Sequence, residues 1–179
     1  MPDQLTGLKN WRELSDGLRS RSPQSGTRLP VAVYMDIGSL LHVNAVLGYL
    51  KADEVLMHLT RWFASHFPNM EAARVGGDEF VLLAPDMASA KAVADQVQKL
   101  ASQEFEEQRK AVRTGAHAAG VTEPPPRLLH LSVALIELDL SSSLIDQLGN
   151  ASKALHEVVG GPTGQAARIV VRRDGQTAS

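Results

Sequence analysis

The pattern of hydrophobic and polar positions divides the chain into short blocks with the periods of helices and strands. Apolar residues recur at spacings of three and four, which predicts helices over residues 8–19, 39–48, 53–67, 87–108 and 144–159. Continuous apolar runs with β-branched residues predict strands over residues 30–35, 71–75, 80–84, 129–138 and 168–171. Glycine, proline and serine separate these blocks without forming an interdomain linker.

Particular residues mark where these elements begin and end. The first strand is an apolar run ended by Asp36, as expected for a strand buried on both faces. The two helices that follow it break at Gly48, and Asp53 is the predicted N-cap of the second helix. Trp62 and Phe63 lie on the apolar side of that helix, so we expect them in the core.

The order of these elements predicts the fold. After a leading helix it is β-α-α-β-β-α-β-α-β, which contains the βαββαβ unit of ferredoxin-like folds. We therefore expect an α/β (α+β) domain with a mixed central sheet flanked by helices. In this topology the hairpin over residues 71–84 pairs beside the first strand. The carboxylates of Asp36, Asp78 and Glu79 then converge at one edge of the sheet.

Length and composition restrict the domain organisation and the class of partner. A chain of 179 residues and 19.3 kDa that is 44% hydrophobic and 21% charged suits one folded domain. We assign residues 1–172 to that domain and residues 173–179 to a polar tail, which would suit excision from a longer protein. Because 18 Lys and Arg oppose 20 Asp and Glu, no positive field attracts nucleic acid or an anionic membrane.

The absence of cysteine excludes disulfides, thiolate zinc sites and cysteine nucleophiles. No secretory signal pattern opens the chain, and no apolar run approaches the roughly 20 residues of a membrane span. We therefore expect a cytoplasmic location with no membrane segment. The six histidines show no i,i+4 pairing, so we interpret them as surface or helix-face residues and not as zinc ligands.

The candidate chemistry lies in the acids and the two glycines beside them. Two or three carboxylates without histidine or cysteine suit Mg²⁺, which takes one or two carboxylates together with substrate phosphates. Gly76 and Gly77 would let a phosphate approach the backbone and would supply the positive φ of a tight hairpin turn. A stable glycine turn with solvated acids explains the same residues equally well, and Asp36 alone is also typical of a turn or helix cap.

Residues 74–80, which read R-V-G-G-D-E-F, resemble the signature of the GGDEF family of diguanylate cyclase domains. Further matches follow in family order as far as residue 155. They are D-Q-L-T-G-L-K-N at residues 3–10, Y-M-D-I at residues 34–37, the N…G…D series of Asn44, Gly48 and Asp53, and A-S-K-A-L at residues 151–155. The resemblance therefore covers most of the chain.

The resemblance implies a nucleotidyl cyclase or palm-like form of the fold and a set of site residues. The implied roles are metal binding (Mg²⁺ or Mn²⁺) for Asp36, Asp78 and the Ile37 carbonyl, nucleotide binding for Asn44, Asp53, Gly76 and Gly77, and catalysis for Asp78 and Glu79, with Glu79 also supporting the turn. Asn44 and Asp53 would read guanine, whose N1–H and N2–H₂ donors require a carboxylate.

The implied reaction joins two GTP molecules as cyclic di-GMP with loss of two pyrophosphates. One site holds one GTP, so two domains must face each other in a homodimer. Family members usually belong to longer proteins that carry sensor or cyclic di-GMP phosphodiesterase (EAL) modules, and such an attached module is an implied partner.

The phosphate-binding part of the family pattern is eroded in this chain. The family segment D-I-D-x-F-K reads D-I-G-S-L-L, so Gly38 replaces an acid and Leu41 replaces a lysine. In the later helix, His156 replaces a tyrosine and Val159 a second lysine. Each lost charge-assisted contact would cost roughly 1.5–3 kcal/mol, so we expect slow or conditional turnover.

Two further positions concern regulation and the turn. The family's product-inhibition motif R-x-x-D would fall on residues 67–70, which read F-P-N-M, so we expect no inhibitory site. We interpret Arg74 as a strand-edge arginine in salt contact with a nearby acid.

Three classes of function remain open from the sequence. They are a slow or conditional diguanylate cyclase, a catalytically weak GTP-binding domain that regulates an attached EAL or sensor module, and an RNA-binding domain of the same strand order. The third is disfavoured, because only 4% of residues are aromatic and acids stand where the RNA-stacking strand would begin.

Overall fold

The structure, a computed structural model, describes residues 1–21, 30–118, 129–139, 141–159, 167–172 and 177–178. Its helices are α1 (Trp11–Ser20), α2 (Leu40–Leu47), α3 (Tyr49–His66), α4 (Met87–Ala118) and α5 (Leu144–Val159). Its strands are β1 (Val31–Gly38), β2 (Glu71–Arg74), β3 (Glu79–Ala84), β4 (His130–Glu137), β5 (Arg168–Val171) and β6 (Thr177–Ala178). None of the helices described is long and apolar enough to cross a membrane.

The strands form one mixed sheet in the order β2-β3-β1-β4-β5-β6. Strand β1 is antiparallel to both of its neighbours, β3 and β4, while β4 and β5 are parallel. The central order β2-β3-β1-β4 is the ferredoxin-like arrangement of the βαββαβ unit. The predicted fold class, a mixed sheet flanked by helices, is confirmed.

Side-chain alternation along β1 divides the core into two layers. Val33, Met35 and Ile37 pack in the layer formed with α2, α3 and α4, whereas Ala32 and Tyr34 pack in the layer formed with α1 and α5. Because alternation continues to the end of the strand, the side chain of residue 36 belongs to the face covered by α5.

Two predicted boundaries near the site are wrong. Asp36 does not end β1, because the strand continues to Gly38 and residue 36 is paired on both sides, with Glu79 and Ser132. Asp53 is not an N-cap, because α3 begins at Tyr49, directly after Gly48. Gly48 has a φ of +86°, a left-handed value that glycine adopts without strain, and this lets α3 start immediately after α2.

Other elements extend beyond their predicted ends. Helix α4 continues to Ala118 instead of ending at residue 108. Strand β6 lies in the segment that the sequence predicts as a polar tail, and it pairs with β5. Residues 173–176 and 179 of that segment lie outside the described residues.

Candidate functional site

The three predicted site acids, Asp36, Asp78 and Glu79, meet where β1 and β3 pair. Asp36 lies directly opposite Glu79, and the next backbone contact is a hydrogen bond of 3.1 Å from the Ile37 N–H to the Asp78 carbonyl. Since the N–H and C=O of one strand residue point toward the same neighbour, the Ile37 carbonyl is also directed toward the glycine turn. The structure thus brings the predicted metal-binding groups to one place.

Glu79 is held by hydroxyl groups from two other elements. Tyr34 Oη donates a hydrogen bond of 2.5 Å to Glu79 Oε1, and Ser152 Oγ of α5 donates one of 3.3 Å to the same oxygen. Burial, followed by the hydrogen bond to Glu79, raises the pKa of Tyr34, so the phenol remains a proton donor. One carboxylate oxygen of Glu79, a predicted catalytic residue, is therefore already hydrogen-bonded to Tyr34 and Ser152.

One of the two roles predicted for the glycines of the turn, a positive φ, is wrong. Among the described glycines, positive φ occurs at Gly7 and Gly48, so Gly76 and Gly77 do not supply it. A Cβ on Gly76 would lie less than 3.0 Å from Glu79 Oε2, whereas a Cβ on Gly77 would meet nothing within 4 Å. Gly76 is needed because the Glu79 carboxylate approaches the backbone of the turn.

Arg74 fastens the turn to the amino-terminal segment. Its Nε donates to the Gly77 carbonyl at 3.2 Å, and its Nη1 contacts Asp3 at 3.1 Å. Burial alone would raise the pKa of Asp3, but hydrogen bonds from Thr6 and Arg74 outweigh it and lower that pKa. The predicted salt contact of Arg74 with a nearby acid is confirmed.

The charged forms of the other two carboxylates, Asp36 and Asp78, are disfavoured by their surroundings. Burial and then the charge of Asp78 raise the pKa of Asp36 to about 6, although His156 opposes the shift. The pKa of Asp78 is also raised, by burial and by Glu79. A bound cation would relieve this repulsion.

The donor set restricts which cation could bind. In the part of the chain that the structure describes, no group of three or more His, Cys, Asp or Glu side chains is arranged to hold a metal ion. Two carboxylates and one backbone carbonyl nevertheless fit Mg²⁺ or Mn²⁺, because such ions complete their shell with substrate phosphates and water. Asp36, Asp78 and the Ile37 carbonyl therefore suit an ion that arrives with a phosphate ligand.

The predicted guanine-reading residues lie on consecutive helices. Asn44 is a half-buried residue of α2, and its Oδ1 atom is buried without a hydrogen-bond partner in the described structure. Buried polar atoms are normally paired, so an unpaired acceptor at this position suits a ligand that donates a hydrogen bond. Asp53 is half-buried within α3, beyond the turn at Gly48.

A cavity of about 200 Å³ opens beside Asp36, between the end of β1 and α5. Its lining includes Gly38, His130, His156 and Val159. His130 is only 8% exposed on β4 and its ring covers Gly38, so the interpretation of every histidine as a surface or helix-face residue is wrong for His130. The imidazole occupies the space where a side chain at position 38 would begin.

The other departures from the family pattern are placed differently. Leu41 is 81% exposed on α2. Phe67 is buried and its ring contacts Trp62, with 5.3 Å between the ring centroids, while Met70 packs against the same core. The positions of the inhibitory motif are used for packing in this chain. The predicted core positions of Trp62 and Phe63 are confirmed.

Tyr34, Ser152 and His130 are site neighbours that sequence reasoning did not single out. Tyr34 could have been recognised from the sequence, because a tyrosine within an apolar strand needs a hydrogen-bond partner for its hydroxyl. No local pattern marks Ser152 or His130 as site residues. They lie on α5 and β4, which are distant in sequence from the other site residues.

Comparison with known proteins identifies relatives of this arrangement. The family model described as "Diguanylate cyclase, GGDEF domain" matches residues 1–125. The response regulator PleD of Caulobacter vibrioides is 36% identical over 95 residues, which are 51% of this chain and 21% of that protein. The bifunctional diguanylate cyclase/cyclic di-GMP phosphodiesterase MucR of Pseudomonas aeruginosa is 32% identical over 119 residues, or 64% of this chain and 17% of that protein. The matched region thus spans about a fifth of these relatives.

Two solved structures have a fold similar to that of this chain. The GGDEF domain of DgcB from Caulobacter crescentus, in complex with c-di-GMP, superimposes with a TM-score of 0.67 at 20% identity, covering 93% of this chain and 94% of that one. Diguanylate cyclase SiaD from Pseudomonas aeruginosa, in complex with its activator SiaC, gives 0.67 at 22% identity, covering 94% of this chain and 61% of that one. Because the family model covers well over half of the sequence and the fold agrees with it, the chain belongs to the GGDEF family of diguanylate cyclase domains, the family of cyclic di-GMP signalling.

Proposed function

We propose that this domain binds GTP with a divalent cation at Asp36 and Asp78 and condenses two GTP molecules to cyclic di-GMP, slowly or conditionally. The observation that carries the proposal is the placement of both carboxylates beside Glu79 at the paired ends of β1 and β3. The fold supplies two donors to Glu79 but holds Asp36 and Asp78 with raised pKa values. Ionisable groups maintained in this way are typical of functional sites.

The condensation balances as two esterifications with two leaving groups. Each 3′-hydroxyl loses its proton to water as its oxygen forms a bond to the α-phosphorus of the other nucleotide, while the bond from that phosphorus to pyrophosphate breaks and pyrophosphate leaves. A bound divalent cation would polarise the phosphate and neutralise its charge. Asp36, Asp78 and the Ile37 carbonyl would hold that ion, and the hydrogen bond between Ile37 and Asp78 keeps the turn against the end of β1.

Recognition of guanine is assigned to Asn44 and Asp53. The unpaired Asn44 Oδ1 supports this assignment, because guanine offers N–H donors on its amino edge. We expect GTP to bind in preference to ATP, since adenine would leave the Asp53 carboxylate without donors. Two domains must then face each other as a homodimer. The c-di-GMP bound by the structurally similar DgcB supports this class of ligand.

A second candidate is a GTP-binding domain that regulates an attached EAL or sensor module without rapid turnover. Leu41 and Val159 favour it, since neither offers a cation to the triphosphate, and Leu41 is fully outside the cavity beside Asp36. Loss of two phosphate contacts would affect positioning for in-line attack more than occupancy of the site.

Calorimetry of GTP binding with and without Mn²⁺, together with chromatographic detection of cyclic di-GMP, tests the proposal. Asp78→Ala should abolish the metal-dependent part of GTP binding, whereas Asp16→Ala, at an exposed position of α1, should not. Metal-dependent binding with product supports the cyclase, and binding without product supports the regulatory domain. If wild type and Asp78→Ala bind GTP with equal metal-dependent affinity, the proposed site is wrong. If ATP displaces bound GTP as well as added GTP does, the assignment of Asn44 and Asp53 is wrong.

A further inference from the structure

We propose that Tyr34 and Ser152 are positioning residues, which hold the Glu79 carboxylate inside the hairpin turn and thereby fix the orientation of Asp78. The inference rests on the proposed function, because the orientation of Asp78 affects GTP condensation only if this carboxylate holds the cation. It assigns to Glu79 a role in the scaffold of the turn and gives a reason for Gly76.

The Glu79 carboxylate is restrained on both of its oxygens. Oε1 accepts hydrogen bonds from Tyr34 Oη at 2.5 Å and from Ser152 Oγ at 3.3 Å. Oε2 lies against Gly76, close enough that any Cβ there would force it to move. The donors come from β1 and α5, so one carboxylate joins the hairpin to two other elements.

The hydroxyl of Tyr34 is what distinguishes this residue from an ordinary core aromatic. Its side chain is 1% exposed in the layer formed with α1 and α5, yet its hydroxyl reaches Glu79, the first residue of β3. Buried phenols place their hydroxyl on a partner, and the partner here is Glu79. Phenylalanine would keep the packing and remove only the shorter of the two bonds to Oε1.

The restraint on Glu79 is transmitted to Asp78 through the backbone. The Glu79 carbonyl accepts hydrogen bonds from the N–H groups of Val75 and Gly76, at 2.9 and 3.4 Å, which closes the turn that contains Asp78. On the other side, the Ile37 N–H donates to the Asp78 carbonyl. Because Glu79 Oε2 also lies against Gly76 of this turn, we expect a displaced Glu79 carboxylate to shift the turn that carries Asp78.

A mutant cycle in stability tests whether the contact exists. Urea unfolding is measured for wild type, Tyr34→Phe, Glu79→Gln and the double variant, without metal or nucleotide. We expect the loss in the double variant to be clearly smaller than the sum of the two single losses. Tyr49→Phe is the matched control, because Tyr49 is the other tyrosine of the chain and is 79% exposed.

Kinetics and metal titration test the positioning role. With Mn²⁺ and GTP, Tyr34→Phe should lower kcat about tenfold, because a small displacement of a reacting group is costly, while KM for GTP changes less than about twofold. Ser152→Ala should act in the same direction with a smaller effect, and Ser152→Thr, which keeps the hydroxyl, should restore most of the rate. The Mn²⁺ concentration needed for half-maximal rate should rise in Tyr34→Phe and not in Tyr49→Phe.

The outcomes separate the inference from the function on which it rests. Additive stability losses overturn the contact, and an unchanged kcat and Mn²⁺ dependence in Tyr34→Phe overturn the positioning role. If the wild type neither binds nor turns over GTP, the proposed function fails, and amide NMR decides the structural part. Tyr34→Phe must then shift the amide signals of residues 76–78 while Tyr49→Phe leaves them in place, and unshifted signals refute the inference.

Discussion

Replacing Gly76 with alanine should destabilise the domain, whereas the same replacement at the adjacent Gly77 should not. A Cβ at position 76 would lie less than 3.0 Å from Glu79 Oε2, but a Cβ at position 77 would meet open space. Neither glycine has a positive φ, so backbone strain does not separate the two variants. The difference between them isolates the close approach of the Glu79 carboxylate.

The loss of stability in Gly76→Ala is estimated from the contacts that Glu79 loses when its carboxylate moves away from the new Cβ. Moving its carboxylate breaks the hydrogen bond from Tyr34, and a bond to a charged group contributes about 1.5–3 kcal/mol. Partial exposure of Glu79 reduces this value by solvent screening. The change from glycine to alanine returns about 0.4–1 kcal/mol by restricting the unfolded chain. We therefore expect Gly76→Ala to lose about 0.5–2 kcal/mol and Gly77→Ala to be neutral or slightly stabilising.

Urea unfolding followed by far-UV circular dichroism in EDTA measures both variants against wild type. A third protein, Gly76→Ala with Glu79→Ala, should be no less stable than Glu79→Ala alone, because the obstructing carboxylate is gone. The reasoning is refuted if Gly76→Ala and Gly77→Ala are equally stable, or if the penalty at position 76 persists when Glu79 is removed.

Three further predictions concern charge, packing and rate. The pKa of Asp36 is raised to about 6, first by burial and then by Asp78, so the folded state holds the proton more tightly than the unfolded state and loses stability as pH rises from about 4 to about 6. Asp36→Asn should therefore stabilise the metal-free protein at pH 7 by about 1–2 kcal/mol after allowance for screening, with no gain below pH 4. If the difference in unfolding free energy between the two proteins is constant across this pH range, the assigned cause is wrong. Gly38→Ala should cost about 1–3 kcal/mol in urea unfolding, because its Cβ would overlap the buried His130 ring, and should cost much less in a His130→Ala background. Leu41→Lys should raise the rate of cyclic di-GMP formation at little cost in stability, since residue 41 is 81% exposed. The control Leu50→Lys, at a position that is 79% exposed, should leave the rate unchanged. If Leu41→Lys binds GTP more tightly without a faster reaction, the result favours the regulatory domain.

The sequence by itself determined the element order as far as β5, the fold class and the family. Helix α5 and strand β5 begin and end where the pattern predicts, because apolar periodicity and the flanking breakers are local properties. The signature residues 76–79 were visible for the same reason, since they are contiguous. The convergence of Asp36 with Asp78 and Glu79 also followed from sequence, because the strand order of the βαββαβ unit places the hairpin beside β1.

Only the tertiary structure decided how these residues are held. The bond from Tyr34 to Glu79 spans 45 positions and the bond from Ser152 to Glu79 spans 73, so neither is encoded in any local pattern. The reason for Gly76 likewise lies in a neighbouring side chain and not in its own φ. Strand β1 continues past Asp36 because its ladder with β4 extends to Gly38, an effect of pairing that single-strand propensity does not contain. Register and packing between distant segments set the orientation of a site whose residue types the sequence had already supplied.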